Sequence, residues 1–292
     1  MYCTYFGFRV APFRNNPQAD PFFEGGRRGA TLEGLMHALE HEDGVLQVTG
    51  DRGSGRTTLC RAIQSRLSGR TPCVTLPASR LAPAQAMQAI ARELGVPTAG
   101  GDASAQVQAL LRAGRNAGRQ HVILVDDAEC MPSSTLEAIR LLTNLDSGTQ
   151  KAARLVLLGS PALDALLAQH ELRQLRSRIS FSARLSPLSP DETSDYLALR
   201  VRSAGSMAGS LFPTAVARQI GHASGGLPLR INLVADRALM CAFADDTRDI
   251  EMRHVRRALD ELGLRPHGVL AQLRQRLTSP ARLPGPVPAG TH

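Results

Sequence analysis

The stretch from Val45 to Thr58, VLQVTGDRGSGRTT, restricts the folds open to this chain more than any other. A short β-branched run enters a glycine-rich turn that opens directly into helix-forming sequence. Gly50, Gly53 and Gly55 let the backbone turn tightly and aim successive N–H groups inward. A helix starting at Thr57 and continuing through Thr58 adds its positive dipole end to the same hollow. Such a hollow cradles phosphate, with Ser54 among the residues that form it. Gly50 and Gly55 have P-loop spacing, and Thr57 stands where a magnesium-holding hydroxyl belongs. The residue after the last glycine is Arg56, where the strict pattern has lysine.

A lone glycine-rich turn can equally be a plain strand-to-helix connection, so its surroundings have to decide. Four further strands are readable: CVTL at Cys73 to Leu76, HVILVD at His121 to Asp126, RLVLLG at Arg154 to Gly159, and the alternating ISFSARLSPL from Ile179. Between them lie helical patterns. One runs from Thr31 to His41, and one follows the loop with Leu59, Ile63 and Leu67 on one face. Others begin near Pro83, at AQVQALLRAGRNAG, at Leu136 to Asn144 with Ser133 and Ser134 as caps, and at SPALDALLAQ. HVILVD is almost wholly apolar, as a strand covered on both faces should be. Alternation over residues 31–188 predicts an α/β domain with a parallel sheet between helices. Beyond Pro187 the helical spacings predict a separate helical domain over 189–265. Residues 1–30 read as an N-terminal arm whose aromatics (Tyr2, Tyr5, Phe6, Phe8, Phe13, Phe22, Phe23) either line a base pocket or simply pack onto the domain. Residues 266–292 form an Arg/Pro-rich tail with too little apolar surface to order itself.

Composition narrows the function classes. The net charge is +8, but Lys151 is the single lysine, so the basic balance reflects arginine usage as much as a selected basic face. No aromatics interleave with the basic clusters, which argues against a single-strand stacking platform. The five cysteines form no C-x-x-C pair and no metal spacing, as expected for structural thiols in a reducing compartment. No secretory leader is readable, and VILV and LVLL are too short to cross a bilayer. The expected location is cytoplasmic, with no transmembrane segment.

A P-loop enzyme also needs a carboxylate at the end of a buried strand, facing the loop to share magnesium with the hydroxyl. Asp126 closes HVILVD in that position, and Asp127 follows where a carboxylate would orient the attacking water. With these residues, the segments YFGF, GDRGSGRTTLCRAI, VDDAECMPSSTLEAIRLLTNLD, LLGSPAL, ELRQLRSRI, LSPLSPDET and SGGLPLRINLVADRALMCAF resemble the AAA+ ATPases of the general secretion pathway protein A and MSHA-pilus biogenesis type, over residues 4 to 262. The resemblance implies a five-stranded parallel sheet domain followed by a helical lid, with ATP and Mg2+ between them. It also implies a ring of identical or homologous subunits serving a secretion or type IV pilus machinery. Gly50, Gly53, Ser54, Gly55, Arg56, Thr57 and Thr58 become the nucleotide loop, Thr57 and Asp126 the metal pair, and Asp127 the catalytic carboxylate. Arg178 becomes the arginine offered to a neighbour's nucleotide, and Arg230 the lid arginine. Such relatives often continue into a membrane span and a cell-wall-binding module, so any envelope role of this sequence is expected to go through a partner.

Four positions depart from the pattern of these relatives. Arg56 replaces a lysine point charge by a flat fork. Asp127 is shorter than glutamate by about one carbon–carbon bond, ~1.5 Å. Ser160 stands at a sensor position where glutamine is usual, and Leu229 precedes Arg230 where the arginine would come first. Glu129 reads either as a stand-in carboxylate or as a solvated loop residue. The sequence therefore leaves three readings open: a slow ATPase or binding switch, an inactive subunit that donates Arg178 to a mixed ring, and a DNA-associated helper using the arginines at 253–276. Nucleic acid is the least expected of the partners, because a solvated helix face accounts for those arginines.

Overall fold

The computed structural model describes residues 2–14, 20–42, 44–76, 80–96, 102–145, 152–205 and 211–264. The tail expected at 266–292 and most of the polar loop at 96–104 lie outside the described residues.

Five strands form one parallel sheet: β1 (Val45–Gly50), β2 (Cys73–Leu76), β3 (His121–Val125), β4 (Ala153–Gly159) and β5 (Ile179–Leu185). Their order is β2-β3-β4-β1-β5. Every residue of β1, β3 and β4 is buried, because helices cover both faces. Alternate side chains feed two cores. Val45, Ile123, Val125, Leu155 and Leu157 pack on one side with Ile90, Leu111 and Ile139. Leu46, Val48, Val122, Leu124, Val156 and Leu158 pack on the other with Leu32, Leu35, Leu59 and Ile63. The edge strand β5 alternates half-buried and exposed residues until Leu185, which matches its alternating sequence.

The strand order positions the site. Inserting β4 between β1 and β3 sets the carboxyl ends of β1 and β3 two strand spacings apart, about 10 Å. That crevice is where open parallel sheets take ligands.

The helical domain comprises Pro190–Ser203, Thr214–Ser224, Pro228–Ala244 and Met252–Glu261 around Leu197, Ile220, Ile231, Leu239, Val255 and Leu259. Among the described residues no strand follows β5. The arm departs from the sequence reading. It includes a short helix, Tyr2–Phe6, and Phe6, Phe8, Phe13 and Phe23 enter the core of the helical domain rather than the sheet domain. Tyr2 Oη donates to Asp236 at 2.6 Å, and Arg9 N–H donates to the Ala204 carbonyl at 2.8 Å. Phe13 meets Phe212 and Phe23 meets Tyr196 edge to face, at 5.6 and 5.7 Å. Each buried phenyl contributes roughly 1.5–3 kcal/mol, enough to tie the arm to the lid. Phe22, one residue earlier, belongs to the sheet-domain core.

Two boundaries differ from expectation. The helix expected from Thr31 begins at Gly26, since a glycine-rich start is read as turn when the tertiary anchor of Arg28 is not visible. Ser133 and Ser134 lie inside the helix Ser133–Leu142, which Pro132 caps without a side-chain hydrogen bond, so they do not act as caps.

Candidate functional site

The glycine loop has the backbone its sequence demands. Gly53 and Gly55 take φ of +84° and +94°, in the region where a side chain is strained, and Gly55 precedes the helix Arg56–Leu67. The loop is also closely covered. A Cβ at Gly53 would sit 2.7 Å from Leu229 Cβ, and Leu229 N–H donates to the Gly53 carbonyl at 3.2 Å. Thus the first turn of the lid helix Pro228–Ala244 rests directly on the loop.

Thr57 and Asp126 meet across the crevice. Thr57 Oγ1 donates to Asp126 Oδ2 at 2.7 Å, while Asp126 Oδ1 accepts from the Asp127 N–H at 3.0 Å. Asp126 is buried, which pushes its carboxyl above the usual carboxylate range, with the Thr57 hydrogen bond pulling the other way. A hydroxyl and a carboxylate at the mouth of a phosphate loop suit magnesium, which keeps most of its ligands as water and phosphate oxygens. Among the described residues no group of three or more His, Cys, Asp or Glu is arranged to hold a metal alone, so such an ion would need the phosphates.

Arg56 spans the hollow. One nitrogen of its guanidinium donates to the Gly50 carbonyl and the other to Asp127 Oδ1, and Glu129 Oε1 lies 3.9 Å away. Asp127 has φ of +46°, left-handed for a non-glycine residue, which directs its side chain back at the loop. The carboxylate expected to orient water is therefore engaged by the residue expected to hold phosphate. Glu129 is not a solvated loop residue: its side chain is only 15% exposed, and Oε1 accepts from the Ser160 N–H at 3.0 Å. That bond ties the acidic turn to the end of β4 through the Ser160 backbone, so the short serine side chain is bypassed.

Between loop, arm and lid lies a cavity of about 230 Å³. Gly53, Gly55, Arg56, Thr57, Thr58 and Asp127 line one side, and Phe22, Phe23, Tyr196, Leu229 and Asn232 face them from arm and lid. Tyr196 Oη donates to Asn232 Oδ1 at 2.8 Å within the lid, and the buried Arg200 pairs with Asp20 of the arm at 2.8 Å, so lid and arm are bonded together at this wall. Arg28 enters from the arm side. It is 3% exposed, lies over the Phe22 ring at 5.0 Å, and donates through Nη2 to the Ser54 carbonyl at 2.8 Å. Ser54 Oγ is buried without a hydrogen-bond partner. A cradle of left-handed glycines, a buried donor to spare and flanking aromatics fit a nucleotide.

Other expected residues fall elsewhere. Arg178 is exposed and immediately precedes β5, so it stands at the amino end of the sheet, away from its own loop. Arg230 is exposed and does not line the cavity, since one helical position past Leu229 rotates it by about 100°. Arg253 bonds to Glu251, and Arg257 to Asp245 and Glu261; the arginines beyond 264 lie outside the described residues. Sequence reasoning missed Arg28, Tyr196 and Asn232, which carry no local motif and reach the cavity only through packing.

The AAA domain family matches residues 39–167 of this chain, a span running from before β1 to beyond β4. General secretion pathway protein A of Aeromonas hydrophila is 33% identical over 276 residues, covering 92% of this chain and 50% of that protein. The chain is an AAA+ protein related to general secretion pathway protein A. It spans about half the length of that curated relative. Solved structures with this AAA+ fold include the ORC2 protein of Aeropyrum pernix in its ADPNP–ADP complexes, with TM-score 0.65 and 20% identity over 86% of this chain and 71% of that one. Cdc6p of Pyrobaculum aerophilum has TM-score 0.67 and 18% identity over 86% and 70%. The RuvB Holliday junction branch migration motor of Thermotoga maritima has TM-score 0.54 and 17% identity over 81% and 70%. At these identities the shared property is the AAA+ fold. Among the described residues no helix is long and apolar enough to cross a membrane.

Proposed function

We propose that this AAA+ protein binds magnesium-ATP between loop and lid and works as a nucleotide-dependent switch with slow hydrolysis, assisting assembly of a secretion or type IV pilus system from the cytoplasmic side. The observation that carries the reading is the Thr57–Asp126 hydrogen bond, which puts a hydroxyl and a carboxylate together beside the glycine loop. Loop N–H groups and the helix N-terminus receive the phosphates. Thr57 and Asp126 would hold Mg2+, which supplies charge neutralisation on the phosphate oxygens.

Arg56 sets the tempo. To meet a triphosphate its guanidinium exchanges the Asp127 carboxylate for phosphate oxygens, and Asp127 is then released to orient a water. A fork that bonds both groups well slows that exchange, so binding and lid movement outpace turnover. Arg178, remote from its own loop, completes the site of a neighbouring subunit in a ring. The Arg56–Asp127 bond also favours a second reading, a subunit that does not turn over and contributes Arg178 to an active homologue.

Melting curves of the purified chain test the first reading. ATP with magnesium at 100 times its Kd stabilises by ~2.7 kcal/mol, or roughly 5–10 °C for a protein of this size, while ATP with a chelator gives a smaller shift. No shift with saturating magnesium-ATP overturns it. Turnover that is present in the parent and absent in Asp126→Ala separates the slow enzyme from the inactive subunit.

A further inference from the structure

Four arginines line the cavity: Arg28, Arg52, Arg56 and Arg200. Arg56 and Arg200 have carboxylates within ion-pair distance, in Asp127 and Asp20, and Arg52 is exposed to water. Arg28 has neither. It is buried, and among the described residues no carboxylate lies within 4 Å of it. Its hydrogen bonds go to the neutral carbonyls of Ser54 and, at 3.4 Å, Ser186, and its Nε–H is buried with no partner. Glu192 acts on it only from beyond ion-pair distance, and one oxygen of that carboxylate already accepts from the Ser189 N–H at 2.7 Å. Burial pulls the Arg28 guanidinium down to about 10, against weaker upward pulls from Tyr196 and Glu192, and it stays charged at neutral pH.

A buried, unpaired cation burdens a fold unless an anion meets it. The position of this one selects the anion. Arg28 Nη2 touches the phosphate loop at the Ser54 carbonyl and would lie 3.0 Å from a Cβ at Gly55. Meanwhile the lid residue opposite, Leu229, offers no charge.

Resting on the reading of the cavity as a nucleotide site, we propose that Arg28 is the counter-charge for the polyphosphate chain, delivered from the arm-side helix rather than from the lid. Its contacts with Ser54 and Phe22 hold it in place, and the phosphates supply the anion the protein itself lacks. The arm, the loop and the bound nucleotide then respond as one unit, because Phe22 lies against the guanidinium in the sheet-domain core while the next residue, Phe23, packs into the lid core.

The test uses the full chain and inorganic tripolyphosphate with magnesium, alongside magnesium-ATP and adenosine. Arg28→Met keeps the length and apolar contacts of the side chain while removing its charge. Expected is a melting temperature for the ligand-free variant equal to or above that of the parent, with affinity for tripolyphosphate and ATP reduced ten- to a hundredfold and any adenosine binding unchanged. Arg28→Lys, which restores the charge, recovers most of the polyphosphate affinity. A variant that melts well below the parent, or does not fold, shows that Arg28 serves the fold and overturns the proposal. So does unchanged tripolyphosphate affinity in Arg28→Met, or lysine behaving like methionine. If the parent itself binds neither ATP nor tripolyphosphate, the nucleotide reading falls first, and this proposal falls with it.

Discussion

Arg56 and Asp127 are bonded to each other across the hollow whose chemistry would need them apart. The same guanidinium holds the Gly50 carbonyl, so the loop, the acidic turn and the arginine form one closed network, with Glu129 nearby. Thr57 and Asp126 remain paired beside it. The Thr57–Asp126 pair is thus in place while Asp127 is engaged by Arg56.

Replacing that fork by a point charge should loosen the network. In Arg56→Lys, Asp127 loses a charge-assisted bond worth about 1.5–3 kcal/mol, so magnesium-ATP should bind roughly tenfold or more tightly and turnover should rise. Isothermal titration and steady-state phosphate release check this. Equal affinity in parent and variant would mean that Arg56 does not compete with nucleotide.

Asp126 gives a pH signature. Burial raises its carboxyl above the usual 3.8, so the folded chain holds the proton more firmly than the unfolded one. Its contribution to stability is full below that ordinary value and is lost as pH rises through the raised one. Ligand-free Asp126→Asn should therefore match or exceed the parent in melting temperature at neutral pH, by up to a few degrees at about 2–4 °C per kcal/mol, with the gap closing in acid. Magnesium should add no nucleotide-dependent shift in this variant. A gap that widens toward acid contradicts the assignment.

Gly53 and Leu229 test the lid contact. Gly53→Ala forces a Cβ to within 2.7 Å of the Leu229 Cβ at a left-handed φ, where the backbone alone costs roughly 1–2 kcal/mol. Melting temperature and nucleotide affinity should both fall. Adding Leu229→Ala relieves contacts with the leucine Cδ2 and Cγ but not the strain, so about half the loss or less should return. Full recovery would show that the strain term is absent.

Arg178 should act only on a neighbour. Arg178→Ala should leave nucleotide affinity unchanged and lower turnover of the assembled protein, on the order of 10³-fold for an arginine supplied in trans. Mixing it with Asp126→Ala, which retains Arg178 but lacks a metal site, should restore activity above either variant alone. Mixtures no better than the sum of their parts would place the trans arginine elsewhere.

Features governed by neighbours along the chain were legible in the sequence. Gly53 and Gly55 take positive φ because only glycine does so without strain, and HVILV forms an interior strand because it is apolar on both faces. Helical spacing likewise separated the lid from the sheet domain, and the pairing of Thr57 with Asp126 follows from loop and strand end in a parallel sheet. Tertiary structure alone decided where the long side chains went. The arm's phenyl rings could have packed on either domain, and their destination depends on the cavity between the lid helices. Arg56 bonds the Gly50 carbonyl and, of the two carboxylates within ion-pair distance, hydrogen-bonds Asp127 at its left-handed turn while Glu129 stays at 3.9 Å. Arg28 sits in a glycine-rich segment with no pattern around it, and its burial beside Ser54 exists only once Phe22 and the loop have met. Backbone conformation is a local property, whereas the partner of a buried charge depends on which distant surfaces exclude water from it.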